Sequence, residues 1–538
     1  MISVQYWHKC VLCSVETRTE GYHRLRTGTE NRNATMREPQ VERSGRADRQ
    51  VHAIGYQRGF CQRAHSLHPM SLVERFREFE SEHATFEIEI ENVPIWERIR
   101  YSVFRDIEQQ FGTGQAHTSI DLDTKDNLQG AKLWLRNLVS KNPYLAPSSD
   151  VLVVGHPRRK KETDGCWWDI YCDPLHEYCS LDSVHFEKPY LLDHRSPAKT
   201  ESLRYLELVE YNGTILRKLG LCNVDLDTDE LSCLRGLEDD IQRQFDVGAD
   251  IKSRVQRLLQ NRKCRLPLYK RLLDRVNPEI AVVVVSYGKE TFIEACKQKG
   301  IPVVELQHGV IYPEHFGYTF SGERTKTTFP DYLLTWGEFW KDDVEFPIPD
   351  ERVIPVGYPY LEESIKKYDN VETKQQLLFI SQGTIGEQLS KFAINVQQYS
   401  EIDYDIVYKL HPGEYDRWQG EYPWLVDAEL EVIDSSEPPL YNLFAESSAQ
   451  VGVGSTAVYE GLAFELETFV YDCPGSEVLQ PLVVEGSAQL ISSSEDLAAS
   501  LGSIKSMFNR EYYFEPNSTE NTCRTLSELT ENATLYKQ

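Results

Sequence analysis

Short apolar runs rich in β-branched residues recur along this chain, each followed by a polar or glycine-containing turn and then by a helical stretch. Residues 280–285 (Ile-Ala-Val-Val-Val-Val) have the pattern of a parallel strand buried on both faces. The next stretch, 289–299, has helical composition and stops at Gly300, a natural C-cap. Residues 301–306 form a second short strand. The same alternation is predicted from 151–154 and again over 376–380, 406–410, 430–433, 449–453 and 468–471, with helices at 387–399, 439–446 and 496–508. Ahead of these units, 71–139 reads as mostly helical. There Trp96, Ile99, Val103 and Phe104 share one helical face and are expected in the core. Helices are also predicted over 203–220 and 231–276. Alternation of this kind belongs to the α/β class, with parallel sheets covered by helices.

With 538 residues the chain should hold more than one domain, since single cores stop growing at roughly 250–300 residues. Residues 1–69 lack sustained periodicity and carry more Lys and Arg than Asp and Glu. They are expected to be a disordered extension or a start assigned too early. Residues 70–149 then form a mainly helical segment, and 150–320 a first Rossmann-like domain. The Pro-, Gly- and Thr-rich stretch 321–370 reads as an inter-domain crossing, with short extended pieces at 331–335 and 352–356. A second Rossmann-like domain follows over 371–516, and 517–538 is expected to be a loose tail.

Charge narrows the range of partners. A formal net charge of −26 argues against nucleic acid and against an anionic membrane surface as general partners. No stretch approaches the roughly 18 apolar residues of a membrane helix, and the first residues lack a secretory signal. The expected location is the cytoplasm, with at most peripheral contact with the inner face of the membrane through 158–161 or 252–270. Twelve cysteines in such a chain favour free thiols over a disulfide framework. His8, Cys10 and Cys13 lack a second ligand pair. The spacings among Cys166, Cys172, His176 and Cys179 match no common metal site, and Asp-X-Asp occurs at Asp121 and Asp225 as expected of any acidic chain.

Candidate chemistry sits at strand ends, where ligands bind in open parallel sheets. The 301–306 strand delivers Gln307, His308 and Gly309, and a histidine backed by glycine there is a candidate for catalysis. His315 is a second contender. The 151–154 strand is followed by Gly155, His156, Pro157 and the cations Arg158, Arg159, Lys160 and Lys161, a phosphate- or acceptor-binding run or else a solvated loop. In the second half, Ser381, Gln382, Gly383, Thr384, Ile385 and Gly386 open a helix, a place suited to a phosphate or sugar. Lys409 and Leu410 lead to His411, Pro412, Gly413 and Glu414. Gly454, Ser455 and Thr456 form another strand-to-helix turn, and Glu460 lies one turn beyond Thr456.

Taken in this order, His-Gly after one strand, His-Pro after another and Gly-Ser-Thr followed by Glu resemble GT-B-fold glycosyltransferases of surface and capsular polysaccharide synthesis. They are also similar to the CDP-glycerol glycerophosphotransferases of teichoic acid synthesis. The resemblance implies a GT-B-like fold: two Rossmann-like domains with parallel sheets facing an inter-domain cleft, preceded by a helical extension. It implies an inverting, metal-independent enzyme that needs no cofactor and moves a sugar from a nucleotide-activated donor to a glycan or lipid-linked glycan acceptor. His308 and His411 would be catalytic. Ser381, Gln382, Gly383, Thr384, Lys409, Ser455, Thr456 and Glu460 would hold the donor, while Gln307, Gly309, Glu414 and Arg158 would support the site or the acceptor. Gln307 before His-Gly and Gly413-Glu414 after His-Pro depart from the glycerophosphotransferase pattern. Polyol-phosphate transfer, nucleotide-sugar epimerisation and a non-catalytic glycan- or nucleotide-binding subunit stand as alternatives.

Overall fold

The computed structural model describes residues 70–537 except 112–123, 158, 163, 190–191, 323 and 503–507. The extension 1–69, with His8, Cys10 and Cys13, and Arg158 lie outside the described residues. Three helices, α1 (Leu72–Glu82), α2 (Trp96–Gln110) and α3 (Thr124–Val139), lead into the first sheet. Its strands in chain order are β1 (Val151–Val154), β2 (Ser183–Glu187), β3 (Leu203–Tyr205), β4 (Ile280–Val284), β5 (Val303–Leu306), β6 (Tyr332–Thr335) and β7 (Val353–Pro355). All pair in parallel, in the spatial order β7-β6-β5-β4-β1-β2-β3. Every residue of β1, β4 and β5 is buried, which is why β1 and β4 read as unbroken apolar runs and β5 as one interrupted only by Glu305. Helices α4 (Asp173–Tyr178), α5 (Glu207–Lys218), α6 (Thr228–Phe245), α7 (Ile251–Val276) and α8 (Glu290–Gln298) belong to this lobe. Asp227 opens α6 with a capping box shared with Glu230.

The second sheet holds β8 (Gln376–Ile380), β9 (Asp405–Lys409), β10 (Glu431–Ile433), β11 (Ala449–Gly452), β12 (Glu467–Tyr471) and β13 (Gln489–Ile491), again all parallel, in the order β10-β9-β8-β11-β12-β13. Helix α9 (Pro359–Tyr368) precedes it. Helices α10 (Gly386–Gln397), α11 (Leu440–Glu446) and α12 (Thr456–Ala463) connect its strands, and α13 (Ser518–Lys537) ends the described chain. The two parallel sheets flanked by helices are those of a GT-B-like fold. In each sheet the chain runs outward in one direction, returns and runs outward in the other. The order reverses between β1 and β4 in the first sheet and between β8 and β11 in the second.

Four expectations need correction. Residues 331–335 and 352–356 are more than pieces of a crossing, because β6 and β7 complete the edge of the first sheet. Residues 203–205 form an edge strand beside β2 rather than the start of a helix. The tail is no loose end: α13 packs on α4 and α9, with Leu526 fully buried. Its first residue is held by Glu362, whose carboxylate accepts from the Ser518 amide at 2.7 Å. Finally, four cysteines are paired, Cys179 with Cys523 and Cys222 with Cys264. The first bond ties α13 to the end of α4. Among the described residues no helix is long and apolar enough to cross a membrane.

Candidate active site

The carboxyl edge of the first sheet is ordered by side chains. Val285, just past β4, has φ of 67°. This left-handed conformation costs a β-branched residue about 1–3 kcal/mol and persists only where the surroundings enforce it. Here Lys289 donates to the carbonyls of Val284 at 2.5 Å and Val285 at 2.8 Å. Burial, and secondarily Lys188, pushes its ammonium down to about 8. The next residue, Ser286, donates its amide to the Glu305 carboxylate at 3.0 Å. Glu305 is the one polar residue in β5 and is fully buried, which raises its carboxyl above the usual range.

Tyr318 donates its hydroxyl to Glu305 at 2.6 Å. The same hydroxyl oxygen lies 3.4 Å from Nδ1 of His308. Having given its proton to Glu305, Tyr318 can only accept from His308, so Nδ1 carries the imidazole proton and Nε2 presents its lone pair. Nε2 stands 3.4 Å from the Tyr287 hydroxyl. The backbone at His308 is fixed from two sides. Tyr171 donates to its carbonyl at 2.8 Å. The Gln307 side chain accepts from the Trp336 amide at 2.8 Å and donates to the Gly309 carbonyl at 2.9 Å. The His156 ring, just past β1, lies 6.4 Å from the His308 ring.

His315 occupies a different setting. It stacks on Tyr101 with ring centroids 5.4 Å apart, accepts from the Gly317 amide at 3.1 Å, and is pushed down to about 4 by burial. Of the cations after β1, Arg159 is buried and paired with Asp173 and Glu187 at 3.2 and 2.5 Å. Lys160 lies over the rings of Tyr360 and Tyr441 at 4.7 and 4.5 Å. Neither forms part of an open phosphate-binding run.

The edge of the second sheet is built largely from backbone. Gly454 donates its amide to Gln382 at 2.9 Å. A Cβ at Gly454 would come within 2.7 Å of the Gly475 carbonyl oxygen, so only glycine fits. Ser455 is the N-cap of α12 and accepts from the Ala457 amide at 3.2 Å. Thr456 accepts from the Val310 amide at 3.2 Å. That bond joins the His308 loop of the first sheet directly to the α12 N-terminus of the second.

Two elements away, Glu414 is fully buried and organises the turn after β9. It accepts from the His411 amide at 2.7 Å, from Tyr422 at 2.8 Å and from Ser381 at 3.1 Å. Nδ1 of His411 accepts from the Gly413 amide at 3.1 Å, which leaves the proton on Nε2.

Several residues expected to touch a donor instead support the loops. Ser381 is buried, donating to Glu414 and accepting from Tyr408 at 3.1 Å. The Gln382 carbonyl oxygen is taken by Gly454. Lys409 donates to the Tyr415 hydroxyl at 2.8 Å and to the Ser435 carbonyl, and burial holds it down to about 8. In each case a polar group near a sheet end finds a protein partner, as a buried polar atom must. Gly383 and Thr384 remain exposed. Glu460 faces Tyr441 and Tyr360, where after burial it contributes to raising both phenols. Sequence reasoning missed Tyr171, Tyr287, Glu305 and Tyr318. Of these, only Glu305 carried a signal, a lone carboxylate inside an apolar strand.

No protein-family model matches the chain, and no curated protein matches it. Solved structures that it resembles include UDP-GlcNAc 2-epimerase from Methanocaldococcus jannaschii, at 12% identity and TM-score 0.42 over 70% of this chain and 99% of that one. The wall teichoic acid polymerase TagF is similar at 10% identity and TM-score 0.39 over 77% and 100% of the two chains. The spinosyn rhamnosyltransferase SpnG is similar at 13% identity and TM-score 0.36 over 71% and 96%.

Proposed function

We propose that this chain is a glycosyltransferase that moves a sugar, with inversion, from a nucleotide-activated donor to a glycan or lipid-linked glycan acceptor. The observation that carries the reading is the hydrogen-bond surroundings of two strand-end histidines, which assign them opposite tautomers. Neighbouring groups leave a lone pair on Nε2 of His308 and a proton on Nε2 of His411. The Val310–Thr456 bond joins the edges that bear them.

His308 is suited to accept the proton of the acceptor hydroxyl as its oxygen attacks the anomeric carbon. The bond between that carbon and the donor phosphate breaks with its electron pair leaving on the nucleotide diphosphate. Nε2–H of His411 and the positive end of the α12 dipole are suited to stabilise the charge released there. Gly383 and Thr384 offer an exposed approach for the rest of the donor. Of the alternatives, epimerisation has least support, because the two buried carboxylates beside the histidines, Glu305 and Glu414, are committed to protein donors.

The test is to incubate the purified chain with a panel of nucleotide sugars and a CDP-polyol, with and without glycan acceptors, and to follow nucleotide release. Acceptor-dependent release of nucleotide from a nucleotide sugar, lost in His308→Ala, is expected. Release from the CDP-polyol alone points to polyol-phosphate transfer, and sugar interconversion without acceptor points to epimerisation. Donor binding without turnover identifies a binding subunit.

A further inference from the structure

Behind the cleft edge of the first lobe lies a buried group that the transfer reaction does not use. Asp169, Cys172 and His185 are all buried, and their ligand atoms lie within 4.8 Å of one another. We propose that they form a structural zinc site. The Nε2 atom of His185 is buried without a hydrogen-bond partner. It points toward Oδ2 of Asp169 across 3.6 Å, too far for a hydrogen bond. Ligands held about 2.0–2.3 Å from one tetrahedral ion stand at about this separation from each other.

The other ring nitrogen is already oriented as a metal-binding histidine requires. Nδ1 of His185 lies 3.0 Å from Nε2 of His176, whose Nδ1 lies 2.9 Å from the Ser183 hydroxyl. With the proton on Nδ1, His185 donates to His176, His176 donates to Ser183, and Nε2 of His185 keeps its lone pair for a cation. Asp169 and Cys172 lie in one turn, where Oδ1 of Asp169 accepts from the amides of Tyr171 and Cys172 at 3.0 and 3.1 Å. Gly155 packs directly against the pair, and only glycine fits there, since a Cβ would sit 2.2 Å from Nε2 of His185 and 2.5 Å from Oδ2 of Asp169.

A set of one nitrogen, one sulfur and one carboxylate oxygen suits zinc rather than calcium or magnesium. The ion would fix the turn after β1, the α4 entrance and β2 against one another. Oδ2 of Asp169 also accepts from the His156 amide at 3.3 Å, which ties the site to the residue whose ring lies 6.4 Å from that of His308. The ion's role is structural, and the proposal stands independently of the transferase reading.

Zinc is counted by plasma mass spectrometry on the full chain purified without chelator and dialysed. About one ion per chain is expected. Refilling the stripped protein with Co²⁺ should give tetrahedral d–d bands and a thiolate-to-cobalt charge-transfer band. The latter should vanish in Cys172→Ser, and affinity should fall at least tenfold in His185→Gln. Retention of under a tenth of an equivalent, or a purely octahedral cobalt spectrum, overturns the proposal without recourse to any variant. A charge-transfer band that survives Cys172→Ser in folded protein also overturns it, since the ion then sits elsewhere.

Discussion

The two sheet edges that meet at the Val310–Thr456 bond are built by different means. On the first, the proposed chemistry rests on side chains: His308 is aligned by Tyr318 and Glu305, and its loop is pinned by Tyr171 and Gln307. On the second, side chains mostly hold loops in place around the α12 N-terminus, where Gln382 takes the Gly454 amide and Ser455 the Ala457 amide. The difference follows from what each edge is suited to do. Moving a proton needs a titratable group in one tautomer, whereas holding a diphosphate needs several fixed dipoles. One edge should therefore fail through single side-chain changes and the other should resist them.

The largest effect that would test this contrast is His308→Ala. Donor turnover should fall by about 10²–10⁴-fold with the melting temperature nearly unchanged, because His308 is only half-buried. Next comes Arg159→Met, which strands the buried carboxylates of Asp173 and Glu187. It should cost about 3–5 kcal/mol in a urea titration, and a loss below about 1 kcal/mol would show that the pairs contribute little.

His315→Asn should separate the two histidines of the His308 loop. Its imidazole is held near 4 when folded, against an ordinary value of about 6.5. The unfolded chain therefore takes up a proton between those values that the folded chain refuses. The stabilisation from this group is complete above about pH 6.5 and is lost as pH falls toward 4. Replacement should flatten that part of the stability profile, with His176, also held near 4 by burial, supplying remaining slope. The smallest effects belong to the second edge. Ser455→Ala and Thr456→Val should each cost about 1 kcal/mol in donor affinity or stability. If either costs as much as His308→Ala, measured by the same nucleotide-release assay, the contrast between the edges is wrong.

The strands that place these groups were legible because strands buried on both faces leave unbroken apolar runs, as in β1, β4 and, after Gln376, β8. Edge strands left weaker traces. Leu203-Arg204-Tyr205 is too short to separate from the helix that follows, and β6 and β7 lie among Pro and Gly that read as linker. His308 could be found because its position depends on one local feature, the end of a strand. Its tautomer could not, since Tyr287 and Tyr318 reach it from 21 and 10 residues away by folding of the loops. The partners of the cations after β1 were hidden for the same reason. Arg159 looks like surface charge until residues 14 and 28 positions on are brought to it.

The return of α13 to the first lobe has a consequence for how the molecule can be divided. Gly337 and Gly357 pack so closely on the backbone of Tyr513 and Glu515 that a Cβ at either would meet it within 2.6 Å. The Trp340 indole donates to the Tyr513 carbonyl at 2.8 Å. A fragment ending near residue 370 would thus lose the cover of its own edge strands and expose Trp336, Phe339 and Trp340, while the complementary fragment would carry a helix with nothing to lie on. Added together, the two pieces should bind and reassemble. The boundary between lobes in sequence is a place where the chain could be cut, but it does not separate two self-sufficient halves.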